Sequence, residues 1–260
     1  MRQPPDGRVL SRSATRLTWA IIVGGLLAAG VGLALPTASS DTSYLQLALA
    51  AGVMATAQLA RLRFRLASGT INITWGEAAL VICLHLAPAG WLPAAALLGA
   101  GLAWLLLMLL EGQRTVVEAL GNAASVTVAA ALAAAVTGSL VDPVGTALTP
   151  AVAVALVLGA AAYLLTCALL AALTLRARYG LPIAASIRNT LRGKLPMFGG
   201  NVTVGLVAVA LLHHDIRWLL ILVPVLWLLQ QAYRQWLRVD CERKLWLHYA
   251  AAVKALNRLD

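Results

Sequence analysis

The residues of this sequence that could do chemistry are the few polar ones that interrupt its long apolar stretches. Glu77 stands near the start of one such stretch, and His85 follows it eight residues later, near the same face of the predicted helix. A carboxylate at the mouth of a membrane span is costly unless it is paired or protonated, so an acid in that position often marks a functional site. We predict a ligand-binding site here, formed by Asn72, Thr74, Trp75, Glu77 and His85.

The position of Glu77 also fits a purely structural interpretation. Thr74 followed three residues later by Glu77 is the spacing of a capping box, in which each side chain pairs with a backbone N–H group of the other residue. An acid in the first turn of a helix also interacts favourably with the helix dipole. Both interpretations stay open, because a capping box explains the spacing but not why an acid should occupy a buried position.

A second group of polar residues lies in a later apolar stretch. Glu118, Asn122 and Ser125 stand at i, i+4 and i+7, which places them on one helix face that should be turned toward the interior of a helix bundle. Asn201 begins a further apolar stretch. These side chains serve either as hydrogen bonds between helices or as ligand contacts. We include them in the predicted ligand-binding set, together with Arg65, a cation available to pair with the acids.

No pattern of a known catalytic centre occurs in the chain. The P-loop pattern GxxxxGK[ST], the nucleophile elbow GxSxG, the zinc motif HExxH and paired CxxC motifs are all absent from the sequence. The three cysteines are widely spaced. His213 and His214 are adjacent, so on a helix their side chains point about 100° apart. We therefore expect no catalysis, no metal site and no cofactor in this part of the protein.

The composition that surrounds these residues excludes a soluble globular domain. Of the 260 residues, 61% are hydrophobic and 12% are charged, whereas about half apolar and about a quarter charged is usual. Several apolar stretches approach the ~20 residues that a helix needs to cross ~30 Å of hydrocarbon. We predict an all-α polytopic membrane protein with about eight transmembrane helices, at 17–35, 44–60, 76–91, 93–110, 116–137, 150–175, 199–212 and 218–233.

The cationic residues predict the orientation of these helices. With the N-terminal tail in the cytoplasm, 19 of the 20 Lys and Arg residues fall on the cytoplasmic side, and only Arg217 falls outside. Both termini are then cytoplasmic. The net charge of +10 is better explained by attraction to anionic lipid headgroups than by nucleic acid, because the charges lie in loops beside predicted spans.

A segment with a different period precedes the predicted third span. In 62–75, apolar residues alternate with polar ones on both sides of 67–70, which predicts a β-hairpin. If 67–70 is the turn, Leu66 lies opposite Ile71 and Arg65 lies opposite Asn72. Unpaired strand edges are not tolerated in lipid, so the hairpin is either interfacial or re-entrant and enclosed by helices. The alternative is an interfacial loop that alternates by chance.

The last segment, 234–260, continues the helical pattern with many charges. A seven-residue pattern predicts a short parallel coiled coil that dimerises the chain through Val239, Trp246, Tyr249, Val253 and Leu256. A second register competes with it, and an amphipathic helix on the headgroups is a further alternative. We thus divide the chain into a basic tail (1–16), a membrane bundle (17–233) and a cytoplasmic signalling helix (234–260). The absence of a C-terminal cap suggests a stalk that leads to a further domain.

Two parts of the sequence, the run at 63–93 and the C-terminal tail, resemble a known protein family. The run RFRLASGTINITWGEAALVICLHLAPAGWLP, at 63–93, resembles the MASE-type membrane sensor regions of actinobacterial signalling proteins, and the tail AAAVKALNRLD resembles the helix that leads into their output modules. The resemblance implies a bacterial inner-membrane location and a cytoplasmic output enzyme, most plausibly a diguanylate cyclase that makes c-di-GMP. The hairpin with small-residue helices is also similar to vitamin-binding subunits of energy-coupling transporters.

Together these features predict a membrane sensor. A small or lipidic ligand would bind between the hairpin and the polar faces of the third and fifth spans, and a homodimeric stalk would carry the change to the output enzyme. The alternatives are a transporter subunit that binds a vitamin-like substrate and a bundle that serves only as an anchor.

Overall fold

The computed structural model describes residues 12–34, 44–60, 62–66, 69–111 and 115–214, and beyond these only the single positions 217, 224, 225, 228, 231, 232, 235, 239 and 246. Through residue 214 the described chain contains seven helices and two strands. They are α1 (Arg12–Ala34), α2 (Tyr44–Leu59), β1 (Leu62–Leu66), β2 (Gly69–Ile73), α3 (Gly76–Leu86), α4 (Leu92–Glu111), α5 (Val116–Leu140), α6 (Pro150–Tyr179) and α7 (Ile183–His214).

The architecture is that of a helical membrane protein. Among the described residues, five helical segments are long and apolar enough to cross a bilayer: Ser13–Ala34, Leu92–Leu110, Val116–Leu140, Pro150–Tyr179 and Met197–His214. Large apolar side chains cover the outside of the bundle, as at Leu27 (61% exposed) and Leu109 (70% exposed). Alanines fill much of its interior. This arrangement suits a lipid environment, because exposed leucines cost nothing in hydrocarbon and small interior residues let helices approach closely.

The predicted third span is only partly helical. α3 has 11 residues, which corresponds to about 16 Å of helix, roughly half of the ~30 Å hydrocarbon layer. It ends where Ala87 turns to an extended conformation (φ −121°, ψ 144°) before Pro88, as expected from the steric restriction that proline places on the preceding residue. α3 therefore does not cross a bilayer by itself.

The seventh predicted span, 199–212, lies within the candidate membrane span Met197–His214, but the helix that contains it begins much earlier. α7 starts at Ile183, sixteen residues before the predicted start at 199, and its first half carries the cations Arg188, Arg192 and Lys194. The predicted eighth span (218–233) and the predicted stalk lie outside the described residues except for single helical positions, among them Val239 and Trp246.

The two strands pair antiparallel, with a register that differs from the predicted one. Leu66 lies opposite Gly69, Arg65 opposite Thr70, and Arg63 opposite Asn72. The prediction that Arg65 faces Asn72 is wrong, because the strands are joined by two residues rather than four, and loop length sets the register of a hairpin. A shift of two residues keeps Arg65 opposite a polar residue.

Glycines mark the closest helix contacts. A Cβ atom on Gly25 of α1 would lie 2.8 Å from the Cβ atom of Ala124 of α5, and one on Gly205 of α7 would lie 2.8 Å from that of Val81 of α3. Gly99 of α4 packs against the backbone of α2 in the same way. These contacts fix α1 against α5, α2 against α4 and α3 against α7.

The contacts also define two ends of the bundle. At one end, the Tyr44 and Trp91 rings lie 6.0 Å apart at the starts of α2 and α4. At the other end, the start of α5 meets the end of α6 through Glu118 and Arg178. All Lys and Arg side chains described within 12–214 lie at or beside this second end: Arg16, Arg176, Arg178, Arg188, Arg192 and Lys194. We call it the basic end.

Candidate functional site

A buried polar cluster joins the start of α3 to the middle of α7. The Asn201 amide nitrogen donates a hydrogen bond to Oε2 of Glu77 at 2.7 Å and another to the backbone carbonyl of Thr74 at 3.1 Å. Glu77 is 7% exposed and Asn201 is 2% exposed. A carboxylate so deeply buried needs such a donor, because an unpaired charge in apolar surroundings is costly.

This cluster replaces the predicted capping box. Trp75, rather than Thr74, occupies the N-cap position of α3, and no side chain makes a capping hydrogen bond there. The capping-box interpretation is therefore wrong: the Glu77 carboxylate accepts from α7, across the interior, instead of from the backbone beside Thr74. The half-buried Trp75 packs against the hydrophobic core.

Two further polar side chains, those of Tyr163 and Gln58, lie close to Gly76, the residue before Glu77. A Cβ atom on Gly76 would lie 3.2 Å from the Tyr163 hydroxyl and 3.7 Å from the Gln58 amide nitrogen. Both side chains are buried, and neither residue is among the predicted site residues. The feature that could have identified Gln58 and Tyr163 is the one that identified Glu77, namely a polar residue inside an apolar stretch.

His85 does not belong to this cluster. It lies near the other end of α3, about 12 Å from Glu77 along the helix axis. Its Nδ1 atom is 2.9 Å from the carbonyl oxygen of Pro143, in the segment that joins α5 to α6. In the structure His85 thus contacts that connection, at the opposite end of α3 from Glu77.

The second polar group forms a separate site. Glu118, Asn122 and Ser125 of α5 line a cleft of about 260 Å³ with residues of α1 and α6. The full lining consists of Thr18, Ile21, Glu118, Gly121, Asn122, Ser125, Thr174 and Arg178. We call it the α1–α5–α6 cleft. The predicted single site between the third and fifth spans is thus divided in two, because α5 packs on α1 and α6 while the Glu77 cluster faces α7.

An ion pair stands within this cleft. The Arg178 Nη1 atom lies 3.2 Å from Oε1 of Glu118, and both side chains are about one quarter exposed. Glu118 is in the first turn of α5 and Arg178 in the last turn of α6, so each charge is also stabilised by the dipole of its own helix. Thr115 caps α5 by accepting from the Glu118 backbone nitrogen at 3.3 Å.

The remaining predicted site residues are described only in part. Asn72 lies on β2 and Arg65 on β1, each at a register position of the strand pair, and their side chains lie outside the described part. The strand pair leads directly through Thr74 and Trp75 into α3, so it is joined to the Glu77 cluster by the chain itself.

Comparisons with protein-family models, with curated proteins and with solved structures found no match for this chain.

Proposed function

We propose that this chain is a membrane-embedded ligand-sensing domain that controls a C-terminal cytoplasmic output. The observation that carries the proposal is the α1–α5–α6 cleft, which gathers polar side chains and an ion pair from three helices of a largely apolar bundle. Polar side chains among membrane helices are expensive, and a concave site that collects several of them is the usual form of a ligand-binding site.

The proposed path of the signal runs through α7. Asn201 ties α7 to the start of α3 and hence to the strand pair, and the segment after α7 leads toward the proposed stalk. A ligand that prefers one packing of these helices shifts the equilibrium between packings by its differential affinity for them. In this proposal the chain has eight membrane segments, of which the short α3 is the third and 218–233 is the last, together with a hairpin at the cytoplasmic interface and a dimeric coiled coil at 234–260.

The identity of the output rests on the sequence resemblance alone. MASE-type regions precede signalling enzymes, and we propose a diguanylate cyclase as the enzyme controlled here, in a bacterial inner membrane with both termini in the cytoplasm. The transporter-subunit alternative uses the same cleft but requires no control of an attached enzyme.

A cleft-filling variant tests this proposal. The full chain, with a diguanylate cyclase module attached after residue 260, is reconstituted into vesicles of total bacterial lipid extract. Asn122→Trp puts a bulky ring at the cleft, whereas Leu120→Trp, on the same helix and 45% exposed outside the cleft lining, is the matched control. We expect Asn122→Trp to change cyclase activity several-fold and Leu120→Trp to leave it unchanged.

Equal activity of both variants and the parent chain would overturn the sensor proposal. Removal of 239–260 separates the sensor from the transporter alternative. In a sensor, filling the cleft no longer affects the attached enzyme once the stalk is gone. The transporter alternative is favoured if the chain without 239–260 still binds ligand and if Asn122→Trp does not alter the attached enzyme in the full chain.

A further inference from the structure

The α1–α5–α6 cleft contains one acidic and one basic side chain, so its charges balance, but not every hydrogen-bond donor of these side chains has a partner within the described residues. Its ion pair uses one nitrogen of Arg178 and one oxygen of Glu118. The Nε atom of Arg178 is buried and has no hydrogen-bond partner within the described residues. The side chain as a whole is about one quarter exposed and lines the cleft, and its one contact with Glu118 within the described residues leaves other guanidinium N–H groups unused. Arg178 is therefore the group in the cleft that would hold an anion.

The hydroxyl groups of the cleft, unlike Arg178, offer hydrogen-bond acceptors rather than donors. Thr18, Ser125 and Thr174 each donate to the carbonyl oxygen four residues earlier in their own helix. Each hydroxyl has a single proton, so these oxygens face the cleft only as acceptors. Together with the Glu118 carboxylate, they favour a ligand group that carries several N–H donors.

The size of the cleft limits the ligand. Its volume of about 260 Å³ is below the 300–1,000 Å³ range that is typical of sites for drug-sized molecules. A nucleotide or an extended cofactor is too large for it. A small polar molecule, or the polar head of a larger one, fits.

We propose that the cleft binds a zwitterion in which a primary ammonium group stands close to a phosphate or carboxylate group. The ammonium group contacts Glu118 and the hydroxyl oxygens, and the oxyanion contacts Arg178 and the Asn122 amide. A ligand with only one sign of charge would face the like-charged member of the ion pair, whereas a zwitterion satisfies both. This inference rests on the proposed function, because it identifies the ligand class of the same cleft.

Two sources supply this chemistry: the headgroup of phosphatidylethanolamine and a free zwitterion such as phosphoethanolamine. The cleft is lined by the first turns of α5, the last turn of α6 and the early part of α1, all at the basic end. Ser125, the deepest residue on α5, is nine residues after its start, or about 14 Å along the axis. Glu118 and Arg178 lie in the terminal turns of their helices, at the level where lipid headgroups meet a span, so the lipid is the source that we expect.

The test compares lipids that differ in a single group. The full chain is placed in nanodiscs of phosphatidylcholine that contain increasing amounts of phosphatidylethanolamine or of phosphatidylglycerol, and the bound lipid is measured by native mass spectrometry and by the shift in unfolding temperature. Phosphatidylcholine keeps the phosphate but has no N–H donors, and phosphatidylglycerol is anionic without an ammonium group. We expect saturable binding of phosphatidylethanolamine, at least tenfold tighter than that of either other lipid.

Variants assign the binding to the cleft. Arg178→Gln should weaken phosphatidylethanolamine binding about tenfold or more, whereas Arg176→Gln, an exposed arginine in the same last turn of α6, should not. The double variant Glu118→Gln, Arg178→Gln leaves no unpaired charge behind, so it should fold and yet lose the lipid preference. Asn122→Trp should block binding by filling the space.

Equal binding of phosphatidylglycerol, or equal losses in Arg176→Gln and Arg178→Gln, would overturn the zwitterion proposal, since either result means general attraction of charge. Tighter binding of free phosphoethanolamine than of the lipid would support the zwitterion and assign it to the soluble source. If no zwitterion binds but Asn122→Trp still alters the attached cyclase, the ligand class is wrong and the sensor function stands. If no zwitterion binds and Asn122→Trp leaves the attached cyclase unchanged, both the zwitterion proposal and the sensor proposal fail.

Discussion

The carboxylate of Glu77 is buried because another element supplies its partner. Asn201 is 124 residues away in the chain, yet its amide lies 2.7 Å from the carboxylate. The same nitrogen donates to the Thr74 carbonyl oxygen, so one amide group satisfies both the acid and a backbone carbonyl just before α3. The polarity of each of these residues can be seen in the sequence, but their pairing depends on how α3 packs against α7.

Removal of this donor should destabilise the protein. Asn201→Ala leaves the buried carboxylate without its partner, and we expect a loss of about 3 kcal/mol, measured as a lower unfolding temperature in detergent. Asn189→Ala, an exposed asparagine on the same helix, is the control and should change little. Glu77→Gln retains an acceptor for the Asn201 amide and should be milder than Asn201→Ala. Equal stability of Asn201→Ala and Asn189→Ala would show that the hydrogen bonds contribute nothing.

At the scale of elements, the packing of α1 on α5 depends on one glycine. Gly25 lies directly against Ala124, whereas a Cβ atom on the neighbouring Gly24 would be 3.9 Å from the nearest Val128 methyl group, an ordinary contact. This helix pair forms two walls of the α1–α5–α6 cleft. Its separation therefore decides whether the cleft side chains converge.

Two neighbouring glycines should respond differently to the same substitution. Gly25→Ala introduces a methyl group 2.8 Å from the Ala124 methyl group, so the helices must move apart, at a cost of about 1 to 3 kcal/mol. Gly24→Ala adds helix propensity without a clash and should leave the stability unchanged or raise it slightly. Thermal unfolding of the two variants in the same detergent measures the difference. The proposed packing would be contradicted by a Gly25→Ala protein as stable as Gly24→Ala.

At the scale of the whole molecule, the charges define a direction. The cationic side chains described within 12–214 lie at or beside the basic end, while the segment 141–149 and the Tyr44–Trp91 contact lie at the other. Cationic loops are retained on the cytoplasmic side of bacterial membranes. The basic end is therefore the one that we expect to face the cytoplasm.

Labelling in intact cells should distinguish the two ends. In a background without the native cysteines, Ala147→Cys in the connection between α5 and α6 should react with a membrane-impermeant maleimide added outside. Ala184→Cys at the start of α7 should react only after permeabilisation; both positions are exposed. The reverse pattern would place the basic end outside, and the proposed cytoplasmic output would then be excluded.

Much of this protein can be inferred from local properties of its sequence. Composition excludes a soluble domain, and the length of the apolar stretches predicts the positions of α1, α4, α5 and α6 closely, because burial in lipid depends on each segment alone. The spacing of Glu118, Asn122 and Ser125 likewise predicts their shared face, since helical periodicity is a local property.

Only the tertiary structure decided which polar groups meet. It separated Glu77 from the polar residues of α5, gave it Asn201 as a partner, added Gln58 and Tyr163, and placed His85 at the far end of α3. It also set the strand register and brought Arg178 to Glu118 across 60 residues of sequence. These outcomes depend on which helices pack together. That choice follows from close contacts at small residues such as Gly25 and Gly205, and in an alanine-rich chain many such pairings look equivalent until the whole bundle is assembled.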